Sequence, residues 1–246
     1  MILEIDAGNS RIKWRLLNDD VQIIDRGICL TTAELQKILP QLEIVQRVRI
    51  ASVRGPDFTS DLAEVMQLRW RINAEIARVT NCQAGVRNAY TKFEMLGVDR
   101  WLAMLAAYNR RHDRCCIISC GTAITLDVVN EAGNHQGGFI IPGLLLQRKS
   151  LLENTSIKLP AESQWSSTWS SIALGCSTED AVNNGIFAML LSGIVNFPLV
   201  AEIGAGGSLY LTGGDAGVIS AGLRGQGIDH YCDHDIVLDG LAYALP

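Results

Sequence analysis

The chain has no unbroken apolar run long enough to cross a membrane, no excess of basic residues, no Cys-x-x-Cys pair and no Gly-Lys-Ser/Thr phosphate loop. Each absence removes a class of function. The longest apolar stretch, 185–201, is broken by Asn196 and Pro198, whereas a membrane span needs roughly 20 apolar residues. It reads instead as a buried helix followed by a turn. A net charge of −5 over 246 residues argues against a protein that neutralises nucleic-acid phosphates over a wide face. No helix-turn-helix or basic recognition stripe is apparent either. The first residues lack the basic segment, apolar run and cleavage site of a secretory signal. The expectation is a cytoplasmic protein with neither membrane nor nucleic acid as a partner.

Cysteine is present but unpaired in pattern. Seven is an odd count, and Cys115, Cys116 and Cys120 lie among apolar neighbours, where thiols behave as small core residues. Nothing suggests a disulfide framework. The segment His230-Tyr231-Cys232-Asp233-His234-Asp235 holds metal-ligand types at tight spacing. It lies between Gly-rich turns and the last apolar segment, and reads as a solvated loop.

With 48% of its residues hydrophobic and 19% charged, the chain can bury an ordinary core. Strands over 2–6 and 11–17 predict a hairpin whose turn holds Asp6, Gly8, Asn9 and Ser10, with a third strand over 21–30. The pattern restarts about 110 residues later, with strands over 115–119 and 123–129 flanking Gly121 and Thr122. Between these lie a helix over 33–39, a strand over 48–53, a helix over 59–68, a short strand over 76–79 and a helix over 99–111. After the restart come a turn over 134–138, a short strand and a helix through Leu152. An irregular Ser-rich loop over 163–171 follows, with Trp165 and Trp169 read as anchors onto the core. A helix then runs from Ser177-Thr178 to Val195, and a strand over 208–212 enters Gly213-Gly214-Asp215-Ala216. Two α/β halves with mixed sheets are expected, 1–113 and 114–246, with a nucleotide cleft between them.

The first turn opens a hairpin instead of a helix, so it differs from the familiar phosphate loop. Gly8 lets the backbone approach a phosphate, and the amides around Asn9 and Ser10 can donate to it. Asp6 suits a magnesium ion, which takes one or two carboxylates and keeps several waters, and Lys13 can reach a phosphate as a point charge. An ordinary β-turn would use the same Gly and Asn; the second turn, Gly121-Thr122, tips the balance toward phosphate. Asp99 and Arg100, at a helix start, could be an N-cap and a solvated neighbour. In a phosphoryl-transfer site, the carboxylate would instead take a proton from an acceptor hydroxyl, and the arginine would pair with an anion.

Together these residues resemble the type III pantothenate kinases, the Bvg accessory factor family within the acetate and sugar kinase/heat-shock 70/actin superfamily. The resemblance covers essentially the whole chain. It rests on Asp6-x-Gly8-Asn9-Ser10-x-x-Lys13-Trp14, Gly85-Val86-Arg87-Asn88-x-Tyr90, Gly97-Val98-Asp99-Arg100-Trp101, Gly121-Thr122-Ala123-x-Thr125, Gly137-Gly138 through Pro142-Gly143, and Thr212-Gly213-Gly214-Asp215-Ala216. Each motif is unspecific alone, but six in the family's order are strong evidence. The resemblance implies two ribonuclease H-like, actin-like ATPase domains, a homodimer, and ATP- and magnesium-dependent phosphorylation of pantothenate, the first step toward coenzyme A. Asp99 matches the proton acceptor. Tyr90, Gly97, Val98, Arg100 and Thr178 match pantothenate contacts; Asp6, Gly8, Asn9, Ser10, Lys13, Gly121 and Thr122 match ATP contacts. The chain departs from the family at Ser119, where an Asp normally ligates an activating monovalent cation, potassium or ammonium. A hydroxyl there predicts a weakened cation requirement, with Asp127 a possible substitute. A different acceptor, or a catalytically weak regulatory relative of the same fold, is the alternative.

Overall fold

The computed structural model describes residues 1–38, 45–159, 171–197 and 206–246. The chain divides into two compact units, one built from 1–110 together with 235–246 and the other from 111–234.

In the first unit, β1 (Ile2–Ala7), β2 (Ile12–Leu17) and β3 (Ile23–Cys29) form an antiparallel meander. The helix α1 (Thr32–Ile38) follows, and β4 (Arg47–Ser52) returns parallel to β1. Then come α2 (Pro56–Trp70) and β5 (Glu75–Ile76), parallel to β4. The sheet order is β3-β2-β1-β4-β5. Period-2 alternation gives this sheet two unlike faces. Leu3, Ile5, Trp14, Leu16, Val48 and Ile50 pack with Leu35 of α1 and Leu62 and Met66 of α2. The other face carries Glu4, Asp6, Arg15 and Arg49, all buried despite their charge. A small hairpin of β6 (Cys82–Gln83) and β7 (Val86–Arg87) leads to α3 (Val98–Arg111), whose residues from Arg100 to Tyr108 are all buried.

The second unit repeats the order and direction of strands. An antiparallel meander of β8 (Cys115–Cys120), β9 (Ala123–Val129) and β10 (His135–Pro142) is followed by α4 (Leu144–Glu153) and α5 (Thr178–Val195). Next come β11 (Ser208–Thr212), α6 (Ala216–Gly225) and β12 (Tyr231–Cys232), giving β10-β9-β8-β11-β12 with β11 parallel to both β8 and β12. Cys116, Ile118 and Cys120 share a core with Leu126, Val128, Phe187, Leu190, Leu209 and Leu211. All seven cysteines are free thiols. Burial pushes the Cys115 thiol up to about 12, so it stays protonated and behaves as an apolar side chain.

The last helix, α7 (Ile236–Ala244), packs against β1 and β4. The sequence reading left it in the second half; the structure puts it in the first unit, far along the chain from the strands it covers. Several bounds also differ. α2 starts at Pro56, which supplies a helical φ and whose missing N–H costs nothing at a first turn. β10 takes in the expected 134–138 turn from His135 onward, with a register shift between His135 and Gly138. Tyr231–Cys232 is a strand within the expected loop. Trp165 and Trp169 lie outside the described residues. Among the described residues, no helix is long and apolar enough to cross a membrane.

Candidate active site

Two clusters of the expected residues form, one in each unit. In the first, β1 delivers Asp6 at its end, directly opposite Lys13 on β2. Directly opposed strand residues point to one face, so carboxylate and ammonium are paired by register. Asp6 is only 8% exposed. Its carboxyl is raised to about 6, chiefly by burial; Lys13 opposes the rise and the charge of Asp99 adds to it. The following turn is held from behind, since Arg54 Nε donates to the Gly8 carbonyl at 2.6 Å and the Val53 amide donates to Ala7 O at 3.2 Å.

Asp99 sits in the first turn of α3, one residue past Val98. It is not the N-cap: the Gly97 carbonyl already accepts from the Trp101 amide, at 3.0 Å. Asp99 Oδ1 accepts from the Arg100 amide at 2.8 Å. A Cβ on Gly97 would lie 2.6 Å from that same Oδ1, so only glycine leaves the carboxylate its place. Arg100, 6% exposed, donates from Nη1 to the Tyr90 hydroxyl at 3.0 Å. Tyr90 is oriented by its own amide, which donates to Asn88 Oδ1 at 2.9 Å. Tyr90, Arg100, Asp99, Asp6 and Lys13 therefore form one electrostatically connected series.

In the second cluster, the Gly121 amide closes the turn onto Ala123 O at 3.1 Å, and the Gly143 amide donates to Thr122 O at 2.9 Å. A Cβ on Gly143 would overlap the Gly121 carbonyl, and one on Gly213, whose φ is +97°, would overlap the Cys120 carbonyl. Three backbone turns thus meet closer than side chains permit, and the Asp215 amide donates to Cys120 O at 3.0 Å. Ser119 lies opposite Thr125 and beside Thr212 in the ladder. Thr212 Oγ1 is buried without a hydrogen-bond partner. Asp127, the possible substitute, is 2% exposed and lies 3.0 Å from His135 Nε2. Thr178 is the first residue of α5, where Ser177 Oγ accepts from the Asp180 amide at 3.1 Å.

His230, from the tight cluster of ligand types, bonds to Ser220 Oγ at 2.7 Å and to Ile228 O at 2.8 Å. Among the described residues, no group of three His, Cys, Asp or Glu stands ready to hold a metal. Two carboxylates are enough for magnesium with waters, and buried Asp6, repelled by the half-buried Asp99, is in an environment that a cation would relieve. Sequence reasoning missed Arg54 and the orienting role of Asn88. Only the proximity of Arg54 to a strand end, and the Asn-x-Tyr spacing, could have hinted at either.

A family model described as type III pantothenate kinase matches residues 2–197. Type III pantothenate kinases of Azotobacter vinelandii and Nitrosococcus oceani are 36% and 38% identical to this chain. The first alignment covers 100% of this chain and 99% of the relative, and the second covers 98% and 92%. Among solved structures, a Campylobacter jejuni protein described as a conserved Baf family transcriptional activator aligns with a TM-score of 0.59 at 20% identity, covering 98% of this chain and 95% of that one. The activator of the 2-hydroxyisocaproyl-CoA dehydratase from Clostridium difficile, with bound ADPNP, aligns at 0.54 and 12% identity over 99% of this chain and 92% of its own. These two likenesses concern the fold, which is that of the actin-like ATPases and sugar kinases. The family model and the full-length relatives go further: the chain belongs to the type III pantothenate kinase family.

Proposed function

We propose that the chain phosphorylates pantothenate at its primary hydroxyl with ATP, as the first step toward coenzyme A. The observation that carries this reading, beyond family membership, is the connected series from Tyr90 through Arg100 and Asp99 to Asp6. Asp99 is the acceptor of the hydroxyl proton. Its first-turn position lets Oδ1 accept from the Arg100 amide, which helps to fix the carboxylate. Arg100 and Tyr90 hold the substrate's carboxylate end, with Gly97 and Val98 as backbone contacts and Thr178, at a helix start, as a further donor.

The amides of Gly8, Asn9 and Ser10, together with Lys13, Gly121 and Thr122, are the ATP contacts of this reading. Asp6 would hold magnesium, which when bound offsets charge on the phosphates and the leaving group. The raised carboxyl of Asp6 still ionises near neutral pH, which keeps that role available. At Ser119 we propose a weak monovalent-cation position, because a hydroxyl supplies an oxygen but no charge. A cytoplasmic homodimer completes the proposal; Phe139, Ile140 and Met189, each more than half exposed, supply apolar surface for a contact.

The test is ATP-dependent phosphorylation of pantothenate by the purified chain beside Asp99→Asn. General-base loss should lower kcat by about 10²–10⁴-fold. ATP binding with no turnover in the native chain would instead favour a regulatory relative.

A further inference from the structure

We propose that α7 is a positioning element for phosphoryl transfer, with Gly240 setting its contact against α3 and Asp239 tying α3 to β2. This rests on the kinase reading above, because the groups being positioned are Asp99 on α3 and Asp6 and Lys13 on the hairpin.

The contact is unusually close. A Cβ on Gly240 would overlap the carbonyl oxygen of Leu102, with Leu102 Cα and C close behind. The obstruction is backbone, so no side-chain rotation relieves it. Leu102 lies three residues beyond Asp99, one turn along the same helix, so a shift imposed there is passed to the carboxylate. Glycine in a helix interior is otherwise unfavourable by about 1 kcal/mol relative to alanine. Its use in α7 is explained by this approach.

Asp239, the preceding residue, reaches two elements at once. Its Oδ1 accepts from Arg15 Nη1 at 2.6 Å and its Oδ2 from Arg110 Nη2 at 2.7 Å. Arg15 is two residues from Lys13 on β2 and also donates from Nε to Glu4 Oε2 at 2.6 Å. Glu4, fully buried and two residues before Asp6, accepts in addition from Arg49 Nη1 at 3.1 Å. Arg110 lies at the far end of the helix that Asp99 opens. The chain Arg49, Glu4, Arg15, Asp239, Arg110 therefore connects the strands bearing Asp6 and Lys13 to the helix bearing Asp99. Three cations and two anions alternate along it, so each carboxylate is shared by two guanidinium groups. An arrangement that spans two elements through one residue constrains their spacing as well as holding them together.

The experiment measures the single-turnover rate and the KM for ATP and pantothenate in full-length Gly240→Ala. A displacement on the order of 1 Å at the reacting groups can cost up to about 100-fold, so a fall in kcat of at least about ten-fold is expected, with both KM values within about two-fold of native. Gly185→Ala, at an exposed α5 position with open space around it, should leave the rate unchanged. A second arm uses Asp239→Ala, Arg110→Ala and their double variant. The double should be no slower than the worse single, and Arg110→Lys should recover most of the rate. That arm decides the matter if Gly240→Ala does not fold. Native kcat in a folded Gly240→Ala, or additive losses around the Asp239–Arg110 cycle, overturns the proposal while native turnover keeps the kinase reading intact. A native chain silent with pantothenate fails that reading first, and the positioning role with it.

Discussion

The turn after β1 and the turn after β8 occupy the same place in two sheets of the same strand order, yet they are furnished differently. At the first, Asp6 faces Lys13 across the hairpin and lies beside Ala51 of the parallel strand. At the second, Ser119 faces Thr125 and lies beside Thr212, three hydroxyls in the corresponding positions. The first turn holds charge in a buried setting, and its backbone is comparatively free; a Cβ on Gly8 would lie 3.4 Å from its nearest neighbour, Arg11 O. The second has no charge at these three positions, and its backbone is crowded by the close approach of Gly143 and Gly213. The same strand order is thus furnished in two ways. One turn carries buried ionic groups, and the other carries hydroxyls and tightly packed backbone.

Breaking the charged turn should have the largest effect. Asp6→Asn should lower turnover by about 10²–10³-fold through loss of electrostatic stabilisation. Its effect on stability should have the opposite sign. The Asp6 carboxyl is raised from 3.8 to about 6, so the fold favours the protonated form. That contribution is full below pH 3.8 and is lost as pH rises through about 6. Above that range, the buried charge costs on the order of 3 kcal/mol. Without divalent cations the variant should therefore melt higher than native at pH 8 and gain little at pH 4. Magnesium should raise the melting temperature of native protein more than that of the variant. A variant that melts lower than native at pH 8 would count against the account.

Breaking the crowded turn should cost less in rate and more in fold. Gly213→Ala places a side chain at φ +97° against the Cys120 carbonyl, a strain of about 1–3 kcal/mol before any overlap is relieved. Calorimetry should register that loss, and KM for ATP should rise about ten-fold as the amides move, equivalent to about 1.4 kcal/mol. An unchanged KM would remove this turn from the ATP contacts.

The comparison can also be sharpened by making the turns alike. Ser119→Asp restores a carboxylate in the second ladder, beside the unpartnered Thr212 hydroxyl. Potassium titrations should show saturable activation of a few-fold in the variant and a weaker response in the native chain. Ordinary saturation at low millimolar potassium in the native protein would sink the argument from Ser119.

Much of this division could be read along the chain. The hairpins, the restart at Cys115 and the helix from Thr178 to Val195 follow from local alternation, capping and apolar spacing, which act over a few residues. Asp6 and Lys13 were each recognisable as site residues of one hairpin, and the register then sets them opposite each other. What escaped depends on partners far apart in sequence. Arg15 and Asp239 are 224 residues apart, and nothing near either one signals the other. Arg54 and Gly8 are separated by 46 residues. The small hairpin at Cys82 to Arg87 is too short to show a period. Asp127 looked available because its sequence neighbourhood does not reveal that His135 stands against it.

The place of α7 also sets an order of events during synthesis. β1 leaves the ribosome well before the helix that covers it, which is made more than 200 residues later. At about 5–20 residues per second, that interval is roughly 10–50 s. During it, the uncovered side of the nascent sheet displays Glu4, Arg15 and Arg49 beside Leu17. Water can solvate those charges while the remainder is translated, which leaves the face less adhesive than an all-apolar one. The ion network that later locks the helix down thus begins as a hydrophilic shield for an unfinished protein.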